Sequence, residues 1–357
     1  MAAEPLLAWW AWIAPVTLQA TALLALAWAA DRFGARRAWP QILATLWWLA
    51  LARLCLPATL ASPVSVTGAL GASTLEAAET PVACLPIALF TLWLVGAAGV
   101  LASRVRARRS IARRLESVAS LRADWTQAFA GAARAAGVRR TPRVAVLDGL
   151  GSPAVFGALQ PVLLLPRDAL ARRPGRADRH ALLHELVHVR RRDLAADELR
   201  AVLCALFWFH PLVWIASRRL HALSEIACDQ QVARALGREA ASYRQTLLDA
   251  ASEWLAPRRT PAVHAFLGHP AAILVRLEHL ERAATPSLAR IRAASSALAL
   301  ACAACVLPMA PNAPTLREQA LRVFEQERDG ALQSCFTLQA AALVLAERSQ
   351  SPTPTPR

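Results

Sequence analysis

Long apolar runs alternate with arginine-rich breaks along this chain. From Pro5 to Ala30 there is no charged side chain, and Trp9, Trp10 and Trp12 sit near one end of the run. A helix of about 20 apolar residues crosses the hydrocarbon core of a bilayer, and tryptophan concentrates at its interfaces. The start carries Glu4 and no arginine, so it reads as a span and not as a cleaved signal. Similar runs follow, and together they predict transmembrane helices at about residues 5–30, 39–60, 81–103 and 293–310. Arg53, inside the second run, is expected to snorkel toward the outer surface. Residues 201–216 are also apolar but are interrupted by His210-Pro211. They read as a buried or membrane-surface helix, with a re-entrant or spanning course left open.

Residues 104–292, between the third and fourth spans, suffice for one compact domain. Apolar positions Ile111, Leu115, Val118 and Leu121 predict an amphipathic helix over 104–137. Strands are expected at 143–147, 154–156 and 162–165, bounded by Gly149, Gly151, Gly157, Pro161 and Pro166. Helices are expected from about Arg176 onward, and a small sheet followed by helices is an α+β pattern. Residues 311–357 read as a short extracytoplasmic tail. Its pattern is helical from Leu316 to Arg348, and it ends in alternating proline with serine or threonine.

Composition sharpens this. Of 357 residues, 56% are hydrophobic and only 18% charged, against about 25% charged in soluble domains. A disordered chain is excluded, and a purely soluble enzyme is disfavoured. The net charge of +15 comes entirely from arginine, since no lysine occurs. That excludes P-loop nucleotide binding, Schiff-base chemistry and a serine–lysine site. Arg32, Arg36 and Arg37 follow the first span, and a cluster from Arg104 to Arg114 follows the third. The intervening loop, 61–80, carries only Glu76 and Glu79. The positive-inside rule then makes the first loop and the central domain cytoplasmic. The N-terminus, second loop and tail are outside. The basic excess is thus juxtamembrane, and no direct nucleic-acid partner is expected. The seven cysteines are scattered in mostly apolar runs and read as small buried hydrophobes; the pair Cys302 and Cys305 lacks a second pair to complete a metal site.

The chemistry sits in His184-Glu185-Leu186-Val187-His188, an HExxH in a stretch free of proline and glycine. On a helix, residues four apart share a face, so both imidazoles can converge on one cation while Glu185 reaches a water beside it. Two solvated helix histidines would give the same letters. Glu225 follows 37 residues after His188, with Asp229 one turn later. Zinc in a hydrolase takes a third protein ligand, which Glu225 can supply, and Asp229 can accept the spare N–H of a ligating histidine. The alternative is a polar helix face beside Arg218 and Arg219.

These elements resemble the membrane-integrated metallopeptidases of the BlaR1/MecR1 type, peptidase family M56. The resembling stretches are Ser152 to Gly157 with Pro161 to Pro166, then His184 to His188 with Arg191-Arg192-Asp193. Phe207 to Trp214 and Glu225-Ile226-Ala227-Cys228-Asp229 follow in the same order. The resemblance implies an α+β zincin-like (gluzincin) domain inserted in a multi-span helical membrane protein of the bacterial inner membrane. It implies one Zn2+ per chain held by His184, His188 and Glu225, with Glu185 as general base and Asp229 behind the ligands. The strand around Val155 would be an edge on which an extended substrate pairs. His210 lies in an FHP-like segment, where a place near the active site and a packed helix-bend role are both open. The other histidines, His180, His221, His264, His269 and His279, read as surface or structural.

The implied activity is zinc endopeptidase in signal transduction, cutting a cytoplasmic protein such as a winged-helix repressor, or the chain itself; homodimerisation is left open. Antibiotic-sensing members carry a penicillin-binding domain after the last span, with a serine acylated with help from a lysine. Only 311–357 follow the fourth span here and lysine is missing, so that sensor is expected to be absent. The rival reading is a catalytically silent membrane scaffold that keeps the fold. The intact HExxH and ExxxD argue against it.

Overall fold

The computed structural model describes residues 3–34, 40–56, 84–117, 121–255, 270–281, 293–298 and 300. Three apolar helices open the chain: α1 (Ala3–Gly34), α2 (Pro40–Ala52), which runs into a 3-10 turn (Arg53–Cys55), and α3 (Cys84–Arg114). Two of them hold stretches long and apolar enough to cross a membrane, Trp12–Phe33 in α1 and Ile87–Arg114 in α3. The second expected span is shorter, Pro40–Cys55. Its expected end at 57–60, the loop 61–80, most of the expected span at 293–310 and the tail 311–357 lie outside the described residues.

Arg53 does not reach outward as expected. It is 0% exposed, and its guanidinium bonds the Gln19 side chain and the Leu56 carbonyl. Polar partners on α1 and in its own turn take the place of water.

The helix expected over 104–137 is two elements. α3 carries on to Arg114, the chain then forms β1 (Glu116–Ser117), and α4 (Ala123–Ala136) begins afresh. The break arises because Glu116 and Ser117 pair antiparallel with Val146 and Ala145, while Leu115 packs with Ala145 and Leu164. α4 stops at Gly137, whose φ of 69° is left-handed and so favours glycine.

The expected strands appear as β2 (Arg143–Leu147), β3 (Ala154–Phe156) and β4 (Val162–Pro166). The sheet order is β1-β2-β4-β3, with β2 parallel to β4 and β3 antiparallel to it. β3 is therefore an edge. Alternation along β4 splits its side chains between two cores: Leu163 and Leu165 face the helices, and Leu164 faces the small cluster under β1.

A short α5 (Arg167–Ala171) leads into α6 (Arg176–Arg191), α7 (Asp193–Leu206) and α8 (Pro211–Leu236). α9 (Ala240–Leu255) and α10 (Pro270–Glu281) follow. α6 buries Leu182, Leu183, Leu186 and Val187 against Trp125 of α4 and the sheet. α7 and α8 form a hairpin whose near half packs instead with α1 and α2, through Leu203, Phe207, Val213 and Leu220. α8 is the shared element. Its first half lies in the apolar helix cluster, and its second half enters the α6 core through Cys228 and Val232. The result is an α+β unit joined to apolar helices.

Candidate metal centre

α6 starts at Gly175, whose N–H is accepted by the Asp178 carboxylate at 2.7 Å, a cap that leaves the helix free to run unbroken. Its leucines set the rotation, so the two histidines face the opposite way, toward α8. The Nε2 atoms of His184 and His188 are 3.1 Å apart. Glu225 of α8 closes the triangle, with one oxygen 3.4 Å from His184 Nε2 and the other 3.3 Å from His188 Nε2. Donors bound at about 2.0–2.2 Å to one tetrahedral cation stand ~3.3 Å from one another. The three side chains therefore fit a single metal ion as they stand.

Each histidine is held from behind. His188 Nδ1 lies 2.7 Å from Asp193, which begins α7 directly after Arg192. That arginine has φ 61°, the only left-handed non-glycine conformation among the described residues, and the tight corner turns Asp193 back onto α6. His184 Nδ1 lies 3.2 Å from Asp229 and 3.0 Å from the Tyr243 hydroxyl, which itself donates to Asp229 at 2.6 Å. With both Nδ1 atoms donating, both Nε2 atoms present lone pairs to the triangle.

Arg276 of α10 completes the arrangement. Its Nε and Nη2 donate to the two oxygens of Asp229 at 2.6 and 2.8 Å, and Nη1 is 3.1 Å from Glu225. Burial by itself would raise the Asp229 carboxyl, but Arg276 outweighs it and holds the group well below the usual carboxylate range. Glu225 is depressed in the same way, by His184, His188 and Arg276 against its burial. Burial pushes the Tyr243 phenol up, so it stays a donor.

Glu185 sits in the same cleft, of about 500 Å³, which β3 and helices α6 to α10 line. Burial raises its carboxyl, the neighbouring histidines oppose the shift, and a backbone hydrogen bond from Val155 on the edge strand reaches it. A carboxyl poised in this way beside a cation site can carry a proton.

The expected residues His184, Glu185, His188, Glu225 and Asp229 thus come together in one place. His210 does not join them. It opens α8, with Nε2 2.8 Å from Thr21 Oγ1 on α1, and the cleft lining does not include it. It stands at the corner between α7 and α8. Cys228, expected to be an inert hydrophobe, adjoins the site: its sulfur is 3.5 Å from His184 Nδ1 and donates to the His184 carbonyl at 3.4 Å. His184, His188 and Cys228 also offer donor atoms within 4.8 Å of one another. Glu225 is the better third donor, because it faces both Nε2 atoms while Cys228 meets the opposite nitrogen of His184. His180 is buried and structural, bonded to Thr246 at 2.8 Å.

Asp193, Tyr243 and Arg276 are absent from the sequence-based set. Asp193 carried a signal, an acid five residues after a candidate ligand, and Tyr243 is the chain's single tyrosine. Arg276 carried none.

The family model described as BlaR1 peptidase M56 matches residues 72–280. The chain is similar to the regulatory protein BlaR1 of Bacillus licheniformis, 34% identical over 88 residues, or 25% of this chain and 14% of that protein. It is similar to the methicillin resistance mecR1 protein of Staphylococcus aureus, 29% identical over 102 residues, or 28% of this chain and 17% of that one. The match thus covers less than a fifth of either relative's length.

Proposed function

This chain belongs to the BlaR1 peptidase M56 family, and we propose that it is a membrane-integrated zinc endopeptidase with a zincin-like domain. The observation that carries this reading is the triangle of His184 Nε2, His188 Nε2 and Glu225, with Glu185 beside it in a cleft bordered by a sheet edge. Zinc, when bound, supplies the Lewis acidity that polarises a carbonyl and acidifies water. His184, His188 and Glu225 hold it. Asp229 and Asp193 fix the histidine tautomers, and Arg276 offsets the surplus of negative charge.

An extended peptide pairs along β3, whose outer edge has no strand partner among the described residues. Glu185 takes a proton from the attacking water and passes it to the leaving amine. The domain, residues 104–292, lies on the cytoplasmic side of a bacterial inner membrane, below spans at 5–30, 39–60, 81–103 and 293–310. The basic residues at Arg32 and from Arg104 to Arg114 support that orientation. The substrate is a cytoplasmic protein, such as a winged-helix repressor, or the chain itself.

The test is to express wild type and Glu185→Gln side by side and compare protein N-termini in the membrane and cytosolic fractions. New N-termini present only with the wild type are expected. Identical sets under every inducing condition contradict the reading.

A further inference from the structure

The α7–α8 hairpin enters the helix cluster at a depth that two rulers measure independently. On α3, Trp93 bonds the hairpin tip: its indole N–H donates to the Leu206 carbonyl at 2.7 Å, and its own carbonyl accepts from Trp208 at 3.2 Å. Trp93 lies eleven residues before Arg104, the first charge on α3, or about 16 Å along a helix. On α1, Thr21 meets His210 at 2.8 Å. It lies eleven residues before Arg32, again about 16 Å. The hydrocarbon core is about 30 Å thick, so both rulers put the tip near mid-depth.

The base of the hairpin matches the interface on both arms. On α7, Glu198 pairs with Arg104 and Arg108 at 3.6 and 2.5 Å. On α8, Arg219 pairs with Asp31, at the end of α1. Between these charged levels, every exposed residue from Leu199 to Ile215 is apolar: Leu199, Val202, Phe209, Pro211, Trp214 and Ile215. The one charge in that stretch, Arg200, is buried and bonds Asp197.

Three carbonyls of the tip have partners within the protein, as backbone in hydrocarbon requires. The Leu206 carbonyl has Trp93, the Phe207 carbonyl has the His210 N–H at 2.9 Å, and the Trp208 carbonyl has the Trp214 indole at 3.0 Å. Gly96 on α3 leaves room for this seat. A Cβ there would run into the Trp208 ring.

We infer that α7 and α8 form a re-entrant membrane hairpin whose tip, residues 207–211, reaches about the middle of the bilayer and whose exposed apolar face contacts lipid acyl chains. The inference rests on the reading that α1 and α3 cross the membrane, and its exposed face continues theirs, at Leu18 and Leu26 on α1 and Leu94 and Val95 on α3. One consequence concerns the metal centre. Glu225 follows Arg219 by six residues, so the centre stands within about 10 Å of the interface along α8. The cleft thus meets peptide substrate at the membrane surface.

The test uses the full chain in phosphatidylcholine liposomes, with benzoylphenylalanine placed singly at exposed positions and lipid adducts counted after irradiation. Val202 and Phe209 report on the hairpin, Leu18 and Leu94 on the spans, and Gln245 on the aqueous domain. Lipid adducts at Val202 and Phe209 within about twofold of Leu94, and about tenfold above Gln245, are expected for a face at hydrocarbon depth. Adducts at Leu18 and Leu94 but not at Val202 and Phe209 overturn the hairpin alone. Adducts at neither pair overturn the spans as well. Crosslinks from Val202 and Phe209 to another part of the chain, or to a second copy, overturn lipid as the occupant.

Discussion

Asp31, in the last turn of α1, accepts hydrogen bonds from Arg219 Nε and Nη2 at 2.5 and 2.8 Å and from the Trp47 indole at 3.0 Å. The pair ties the first apolar helix to the helix that carries Glu225. Asp31 is buried and Arg219 is partly exposed, so breaking the pair leaves a half-buried guanidinium unpaired.

Asp31→Ala is therefore expected to destabilise the protein by about 2–3 kcal/mol, below the full cost of a stranded buried charge because solvent reaches Arg219. Thermal melts of the full chain in detergent measure this. Asp148→Ala, which removes a more exposed pair with Arg167, is the control and is expected to change little. Equal effects of the two substitutions contradict a structural tie through Asp31.

Arg276 is a second stake, because it faces two carboxylates at once. Arg276→Met leaves the fully buried Asp229 without its guanidinium, and about 3–5 kcal/mol of stability is expected to go. Arg276→Lys is expected to fall between the two, since an ammonium cannot reproduce the planar fork that meets Asp229 with two nitrogens and Glu225 with the third. Melts of chelator-treated protein isolate this effect from metal binding. A methionine variant as stable as wild type contradicts it.

Acid–base behaviour follows from the same carboxylates. Burial opposes charge on His184 and His188, but Asp229 beside one ring, and Asp193 and Glu225 beside the other, hold both well above the usual imidazole range. In chelator-treated protein the folded values then exceed an unfolded value of about 6.5. Stabilisation from the two rings is full below about 6.5 and is lost as pH rises through the raised values. Zinc needs the same nitrogens unprotonated, so its uptake releases protons and its apparent affinity climbs with pH. Competition titrations across neutral pH are expected to show that climb. A flat profile contradicts it.

Legibility in the sequence tracks whether a feature is local. β2, β3 and β4 could be read because valine and leucine runs end at glycine or proline. β1 could not, since two residues, Glu116 and Ser117, become a strand only by pairing with β2. His184, Glu185 and His188 share one helix, and Glu225 and Asp229 another, so spacing alone grouped each set. Asp193 owes its place to a left-handed corner at Arg192, and Tyr243 and Arg276 arrive on later helices that close over the site. No local pattern encodes those contacts. The apolar stretch around Phe207 showed burial but not its surroundings; its packing with α1 and α2 and its contacts to Trp93 and Thr21 place it among the apolar helices.

On the proposed function, His184, His188 and Glu225 hold a catalytic zinc that Glu185 serves without binding it. Zinc content per chain, measured by mass spectrometry on the full protein in detergent, tests this most directly. About one zinc per chain is expected in wild type and in Glu185→Gln, and near none in His188→Ala and Glu225→Ala. Wild-type zinc levels in His188→Ala and Glu225→Ala would contradict that ligand set.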